Sequence, residues 1–228
     1  LSSLDELKRQ AAEAAAEMVE PGMVVGLGYG STAAFAVRRI ADRYRSGELE
    51  GILGVPTALE VERQAEAFGI PLTTLEDHPQ VDLTIDGADE VDPQLDLIKG
   101  GGGALLREKI VAQASSREII VVDESKLSDR LGSRYALPVE VLPFGWSVVR
   151  GFLEKLGAQV SLRKHGDSQF TTDQGNWILD AAFGPIQDNY ALAERLDGQA
   201  AIVGHGLFLG LATEVLVASE AGVRRLRR

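Results

Sequence analysis

Short, largely apolar runs alternate with longer helix-like segments over the first 131 residues, and this alternation restricts the chain to an α/β design built on a parallel sheet. The runs at residues 23–27, 81–85 and 119–122 read as strands of the buried kind, apolar throughout in the first and last and interrupted by Asp82 and Thr84 in the second. Residues 57–68 and 104–114 between them read as helices. Another helix is expected at 4–19, stopped by Pro21 and Gly22. Strands joined by helical crossovers give a parallel sheet with helices packed on it.

After Leu131 the order of elements changes. A strand at 138–142, a helix at 146–156 and a strand at 158–163 lead into a hairpin turning at Thr172-Asp173-Gln174-Gly175-Asn176. A helix at 188–196 and a strand at 200–203 complete the order βαββαβ of a ferredoxin-like module. The fold expected is α/β, with a Rossmann-like parallel-sheet domain and a second, smaller ferredoxin-like α+β domain. The large domain takes residues 1–131 plus 207–228, because the apolar run at 213–218 returns to the first sheet, and the small one takes 132–206.

Bulk properties remove several classes of function. The apolar stretches are far shorter than the roughly 20 residues needed to span a bilayer, and residues 1–20 lack the basic segment and apolar block of a signal peptide. A cytoplasmic chain is expected, or a plastid one where a transit peptide has been removed. There are no cysteines, which excludes disulfides, thiolate metal sites and cysteine nucleophiles. A net charge of -11 repels nucleic acid and anionic membranes, so neither is expected as a partner. Arg224, Arg225, Arg227 and Arg228 read as a short solvated charge run at the end of the chain.

Four segments carry candidate chemistry. In Gly26-Leu27-Gly28-Tyr29-Gly30-Ser31-Thr32 a strand passes into a helix, where free N–H groups and the helix dipole favour a phosphate. A tight turn with Ser31 as N-cap is the other reading. In Asp86-Gly87-Ala88-Asp89-Glu90 three acids follow a strand, at the carboxyl end where open α/β sheets bind ligands. A solvated turn with Asp89 as a cap, or a magnesium site, would use the same residues.

The third segment, Lys99-Gly100-Gly101-Gly102-Gly103, leads into the helix that carries Glu108. Four glycines are costly in backbone entropy, which suits close approach of a ligand to the main chain. Glu108 shares a helix face with Ala104, Leu105, Val111 and Ala112, and a carboxylate among such neighbours is partly desolvated, as befits a general base. A surface Glu paired with a nearby Arg remains the alternative. Lys126, in Asp123-Glu124-Ser125-Lys126, and Lys99 both fall at expected strand ends, where each supplies positive charge or is simply a surface lysine.

Taken together, Gly28 to Ala34, Asp86 to Glu90, Ile98 to Lys109 and Asp123 to Lys126 closely resemble type A ribose-5-phosphate isomerase. Gly54-Val55-Pro56-Thr57, Leu137-Pro138-Val139-Glu140-Val141 and Gly206-Leu207-Phe208 extend the resemblance over essentially the whole chain. It implies metal-free, cofactor-free interconversion of ribose 5-phosphate and ribulose 5-phosphate through an enediol, in the non-oxidative branch of the pentose phosphate pathway, by a homodimer or homotetramer. It assigns Glu108 as the base, Asp86 and Asp89 as acids that contact sugar hydroxyls and assist ring opening, and Lys99 with the glycines as the group steadying the enediolate. Substrate contacts are implied at Tyr29, Gly30, Ser31, Thr32, Asp86, Gly87, Ala88, Asp89, Lys99, Gly100, Gly101, Gly102 and Lys126. Tyr29 departs from the family, which carries a small hydroxyl residue there, so a backbone contact is expected at this position rather than one from the ring. A regulator that senses sugar phosphates would instead carry a basic helix-turn-helix, and the acidic N-terminal helix is not one.

Overall fold

The computed structural model describes residues 3–228. In chain order come α1 (Ser3–Ala16), β1 (Val24–Leu27), α2 (Ala33–Arg45), β2 (Leu53–Pro56), α3 (Leu59–Phe68), β3 (Leu83–Asp86), β4 (Glu90–Val91) and β5 (Leu97–Ile98). Then follow α4 (Leu105–Ala114), β6 (Glu118–Asp123), β7 (Leu137–Val141), α5 (Trp146–Lys155), β8 (Gln159–Leu162), β9 (Lys164–His165) and β10 (Ser168–Gln169). The chain closes with β11 (Trp177–Ala182), α6 (Asn189–Asp197), β12 (Ile202–His205), β13 (Leu207–Phe208), β14 (Glu214–Ser219) and β15 (Gly222–Arg227). Among the described residues no helix is long and apolar enough to cross a membrane.

The chain forms two compact units. One holds the residues up to Ala88 with Arg107–Lys126 and Gly210–Arg228, and the other Asp89–Leu106 with Leu127–Leu209. Residues 89–106, grouped from the sequence with the parallel sheet, cluster with the smaller unit, as do 127–131 and 207–209. The cause is a three-stranded antiparallel sheet in the order β13-β5-β4, in which β13 comes from far along the chain.

The larger unit is organised by a six-stranded sheet in the order β15-β14-β6-β3-β1-β2, parallel except for the antiparallel β14–β15 pair. Ile119, Ile120, Val121 and Val122 of β6 are all buried, as their continuous apolarity requires, and each side chain contributes about 1.5–3 kcal/mol by leaving water. Ala11, Ala12, Ala15 and Ala16 line one face of α1, and their small size lets it lie close against α2, β6 and β14. The chain runs from β1 to β2 on one side and then returns past β1 to β3 on the other, so the loops after β1 and β3 part at a topological switch point.

The C-terminal arginines are exposed, as a solvated charge run must be, but they do not form a loose tail. Arg224, Arg225 and Arg227 belong to β15, an edge strand whose Arg225 and Arg227 reach Glu214 on β14. Their charge guards the sheet's outer edge against pairing with another chain.

In the smaller unit β12-β7-β11-β8 form an antiparallel sheet, the strand order of the expected ferredoxin-like module. Val139, Val141, Leu179 and Ala181 from the sheet join Val149, Leu153 and Leu196 from the helices in one core, with Trp146 and Trp177 packed against it. The expected hairpin carries an extra two-stranded ribbon, β9–β10, before its Thr172–Gly175 turn.

Candidate active site

Of the residues expected at the site, Tyr29, Gly30, Ser31, Thr32, Asp86, Gly87, Ala88, Glu108 and Lys126 belong to the larger unit. Asp89, Lys99, Gly100, Gly101 and Gly102 belong to the smaller one.

In the larger unit the loop after β1 is fastened to the end of β3. The Gly28 N–H donates to Ile85 O at 3.0 Å. Asp86, fully buried, accepts through Oδ1 from the Tyr29 N–H at 3.1 Å and the Gly87 N–H at 2.7 Å. A Cβ on Gly28 would fall well inside van der Waals contact of Ile85 O and Asp86 Cα, so only glycine lets the loop lie this close. The first two sequence clusters are thus one structure. The backbone of Tyr29, where a substrate contact was expected, is committed to Asp86.

Ser31 does not cap the next helix, contrary to one reading of its position. Thr32 stands at the N-cap of α2 and makes no side-chain cap bond, and Ser31 Oγ accepts instead from Lys8 Nζ at 3.1 Å. Lys8, on α1, is the functional candidate that sequence reasoning missed. It brings a cation to exposed hydroxyl and backbone groups at a helix start, the combination that suits phosphate.

Glu108 is 4% exposed, and Ala104, Leu105, Val111 and Ala112 on its helix face are buried, while Ile110 and Gln113 face outward. The surface alternative for Glu108 is excluded by that burial. Past β6, Asp123 Oδ1 accepts from the Ser125 N–H at 3.0 Å and from its hydroxyl, shaping the turn that carries half-buried Lys126.

In the smaller unit Asp89 Oδ2 accepts from the Gly101 N–H at 2.7 Å, and a Cβ on Gly101 would press on that carboxylate. Lys99 is 2% exposed, its Nζ 5.4 Å from the centroid of the Phe208 ring, so it is no surface lysine. Its N–H donates to Gly206 O. Gly100 and Gly103 have φ of +104° and +87°, and the Gly103 N–H closes a turn onto Gly100 O at 3.0 Å. Glu90 is structural, since its buried carboxylate accepts from the N–H groups of Gly132, Arg134 and Tyr135. Among the described residues no group of three or more His, Cys, Asp and Glu is placed to hold a metal ion.

A profile of the ribose 5-phosphate isomerase A (phosphoriboisomerase A) family matches residues 53–222. The chain belongs to this family. It is 58% identical to the ribose-5-phosphate isomerase A of Chloroflexus aurantiacus, over 99% of this chain and 95% of that one. It is 49% identical to a probable ribose-5-phosphate isomerase 3, chloroplastic, of Arabidopsis thaliana, over 97% of this chain and 83% of that one. Among solved structures, a D-ribose-5-phosphate isomerase in complex with phospho-erythronic acid superposes with a TM-score of 0.97 and 36% identity, covering 99% of this chain and all of that one. The ribose 5-phosphate isomerase A family interconverts ribose 5-phosphate and ribulose 5-phosphate, and the fold and sequence motifs are those of an isomerase of this family.

Proposed function

We propose that this isomerase moves one proton between C1 and C2 of D-ribose 5-phosphate and D-ribulose 5-phosphate through an enediol, with Glu108 as the base and with no metal or organic cofactor. The observation that carries the reading is the placement of Glu108, a carboxylate 4% exposed just after the glycine run, on a helix face of small and apolar residues. In the open-chain aldose, Glu108 takes the C2 proton, the C–H electrons form the C1–C2 double bond, and the C1 oxygen takes up the charge and a proton. Loss of the O2 proton then forms the C2 carbonyl as Glu108 returns its proton to C1. One carboxylate serves both carbons because they are adjacent.

The oxygen that gains charge needs donors already in place. Lys99 and the N–H groups of the glycine run have that chemistry. Asp86 and Asp89 are assigned to the sugar hydroxyls and to ring opening. Lys8, Ser31, Thr32 and Lys126 are assigned to the phosphate, with Gly30, Gly87 and Ala88 offering backbone contacts and Tyr29 shaping the loop. The acidic chain works on a free sugar phosphate as a homodimer or homotetramer in the cytoplasm, a plastid location being the variant that the chloroplastic relative exemplifies.

A circular-dichroism or coupled assay of ribose 5-phosphate conversion by the purified chain tests the reading, with ribose as control. Turnover of the phosphate ester alone, unchanged after dialysis against a chelator, is expected. No turnover, or a loss that added magnesium or zinc restores, contradicts it.

A further inference from the structure

Four successive glycines have no side chains with which to fix their own shape, so beyond the Gly103 N–H bond to Gly100 O whatever orients Gly100 to Gly103 must come from outside the run. Within the smaller unit Asp89 and Phe170 each touch one glycine of the run, and Arg163 holds two. Arg163 Nη1 donates to Gly100 O at 2.7 Å and to Gly101 O at 3.1 Å. The rest of the guanidinium is taken by Asp180, with Nε to Oδ2 at 2.9 Å and Nη2 to Oδ1. Both side chains are largely buried. The Phe170 N–H donates to Arg163 O at 3.1 Å, the Phe170 ring lies 5.8 Å from the guanidinium, and its edge stands where a Cβ on Gly103 would be. The turn that follows Phe170 is tied down in its own right, because fully buried Glu140 accepts from Thr172 Oγ1 at 2.8 Å and Asn176 Nδ2 at 3.0 Å.

The geometry of the peptide unit converts this grip into a direction. A trans peptide points its C=O and the following N–H to opposite sides, and the chain has no cis bonds among the described residues. With the carbonyls of Gly100 and Gly101 drawn to Arg163, the N–H groups of Gly101 and Gly102 must point away from it. The Gly101 N–H does so, onto Asp89 Oδ2. We propose that Arg163, held by Asp180, is a positioning residue of the isomerase reaction: it turns two glycine peptides so that the Gly102 N–H, and Asp89 fixed by the Gly101 N–H, are preset for the substrate oxygens. A lysine cannot replace it, because one ammonium lacks the planar fork that serves two carbonyls and a carboxylate together. The proposal rests on the reading of the glycine run and Asp89 as substrate-facing groups.

The test compares Arg163→Met, Arg163→Lys and Asp180→Asn with the wild type in kcat and KM for ribose 5-phosphate and in amide hydrogen exchange. Arg163→Met is expected to lower kcat by tenfold or more with KM within threefold, and to speed exchange in the segment 99–105. Arg163→Lys should fall between it and the wild type. If Arg163→Met does not fold, Asp180→Asn decides, with an expected three- to tenfold loss in kcat and the same local exchange. A folded Arg163→Met with kcat within twofold of wild type overturns the proposal and leaves the isomerase reading standing, as does an Asp180→Asn variant unchanged in both measurements. A wild-type chain that does not turn over ribose 5-phosphate overturns the reading and the proposal with it.

Discussion

Two glycine-rich loops open toward helices in this chain, and they are held by different means. The loop from Gly26 to Gly30 is moulded chiefly by main chain, since Gly28 lies on the backbone of Ile85 and Asp86 with no room for a Cβ, and the one side chain added is the Asp86 carboxylate, which accepts from the Tyr29 N–H. The run from Gly100 to Gly103 is moulded by side chains, namely Asp89, Arg163 and Phe170. Backbone of a central sheet cannot yield, whereas a ring or a guanidinium can swing. The same residue type is therefore required for different reasons, and the two loops should tolerate change differently.

The largest effect is expected at Gly28. Gly28→Ala sets a methyl against the backbone of β3, and the stability loss should reach or exceed the upper end of the roughly 1–3 kcal/mol usual for overpacking, with activity lost in parallel. Urea unfolding measures it, and a loss below about 1 kcal/mol would mean that the loop is not pinned to β3. Gly103→Ala should cost less, about 1–2 kcal/mol, because its φ of +87° is strained for alanine but the Phe170 ring can turn aside. In a Phe170→Leu background the cost should shrink, and a strictly additive double mutant would show that the ring does not press on the run.

Lys8→Met removes a cation from the first loop without touching its main chain. KM for ribose 5-phosphate should rise about tenfold, roughly 1.4 kcal/mol, while kcat stays within threefold. A fall in kcat at constant KM would move Lys8 from phosphate binding to the chemical step.

The smallest effect concerns Glu140 and appears only against pH. Burial raises its pKa above the ordinary carboxylate value. The folded state therefore holds this proton more tightly than the unfolded state does, so the group's contribution is complete below the unfolded pKa, about 4.3, and is lost as pH rises through the raised value. Glu140→Gln cannot ionise, so the stability difference between variant and wild type should shift in favour of the variant as pH is raised from about 4 toward 7. Parallel stability curves would show that Glu140 keeps an ordinary affinity for its proton.

The sequence carried most of this account where burial and chemistry coincide locally. A continuous apolar run marks β6 because both faces of that strand are covered, and the face shared by Glu108 and Ala112 is legible because helix periodicity is short-ranged. What escaped depends on long-range pairing. β15 reads as a charged tail, since its three arginines break the apolar pattern while its hydrogen bonds with β14 do not depend on side chains. The three-stranded sheet joins β4 and β5 to the distant β13, all two-residue strands too short for any pattern. Lys8 stands 23 residues from Ser31 in an ordinary amphipathic helix, and only the packing of α1 on α2 brings it to the loop. Arg163 escaped for the same reason, because nothing beside it in sequence hints at the carbonyls it holds.

The central claim is that Glu108 carries the proton, and single-turnover exchange by Glu108→Gln tests it most directly. The substitution keeps the size of the side chain and removes its basic oxygen. With ribose 5-phosphate binding retained by calorimetry, kcat and the incorporation of solvent deuterium into ribulose 5-phosphate should fall together, by on the order of a hundred to ten thousandfold. A folded variant that binds substrate and still exchanges and isomerises at near the wild-type rate would contradict the account, and would pass the proton to Asp86 or Asp89.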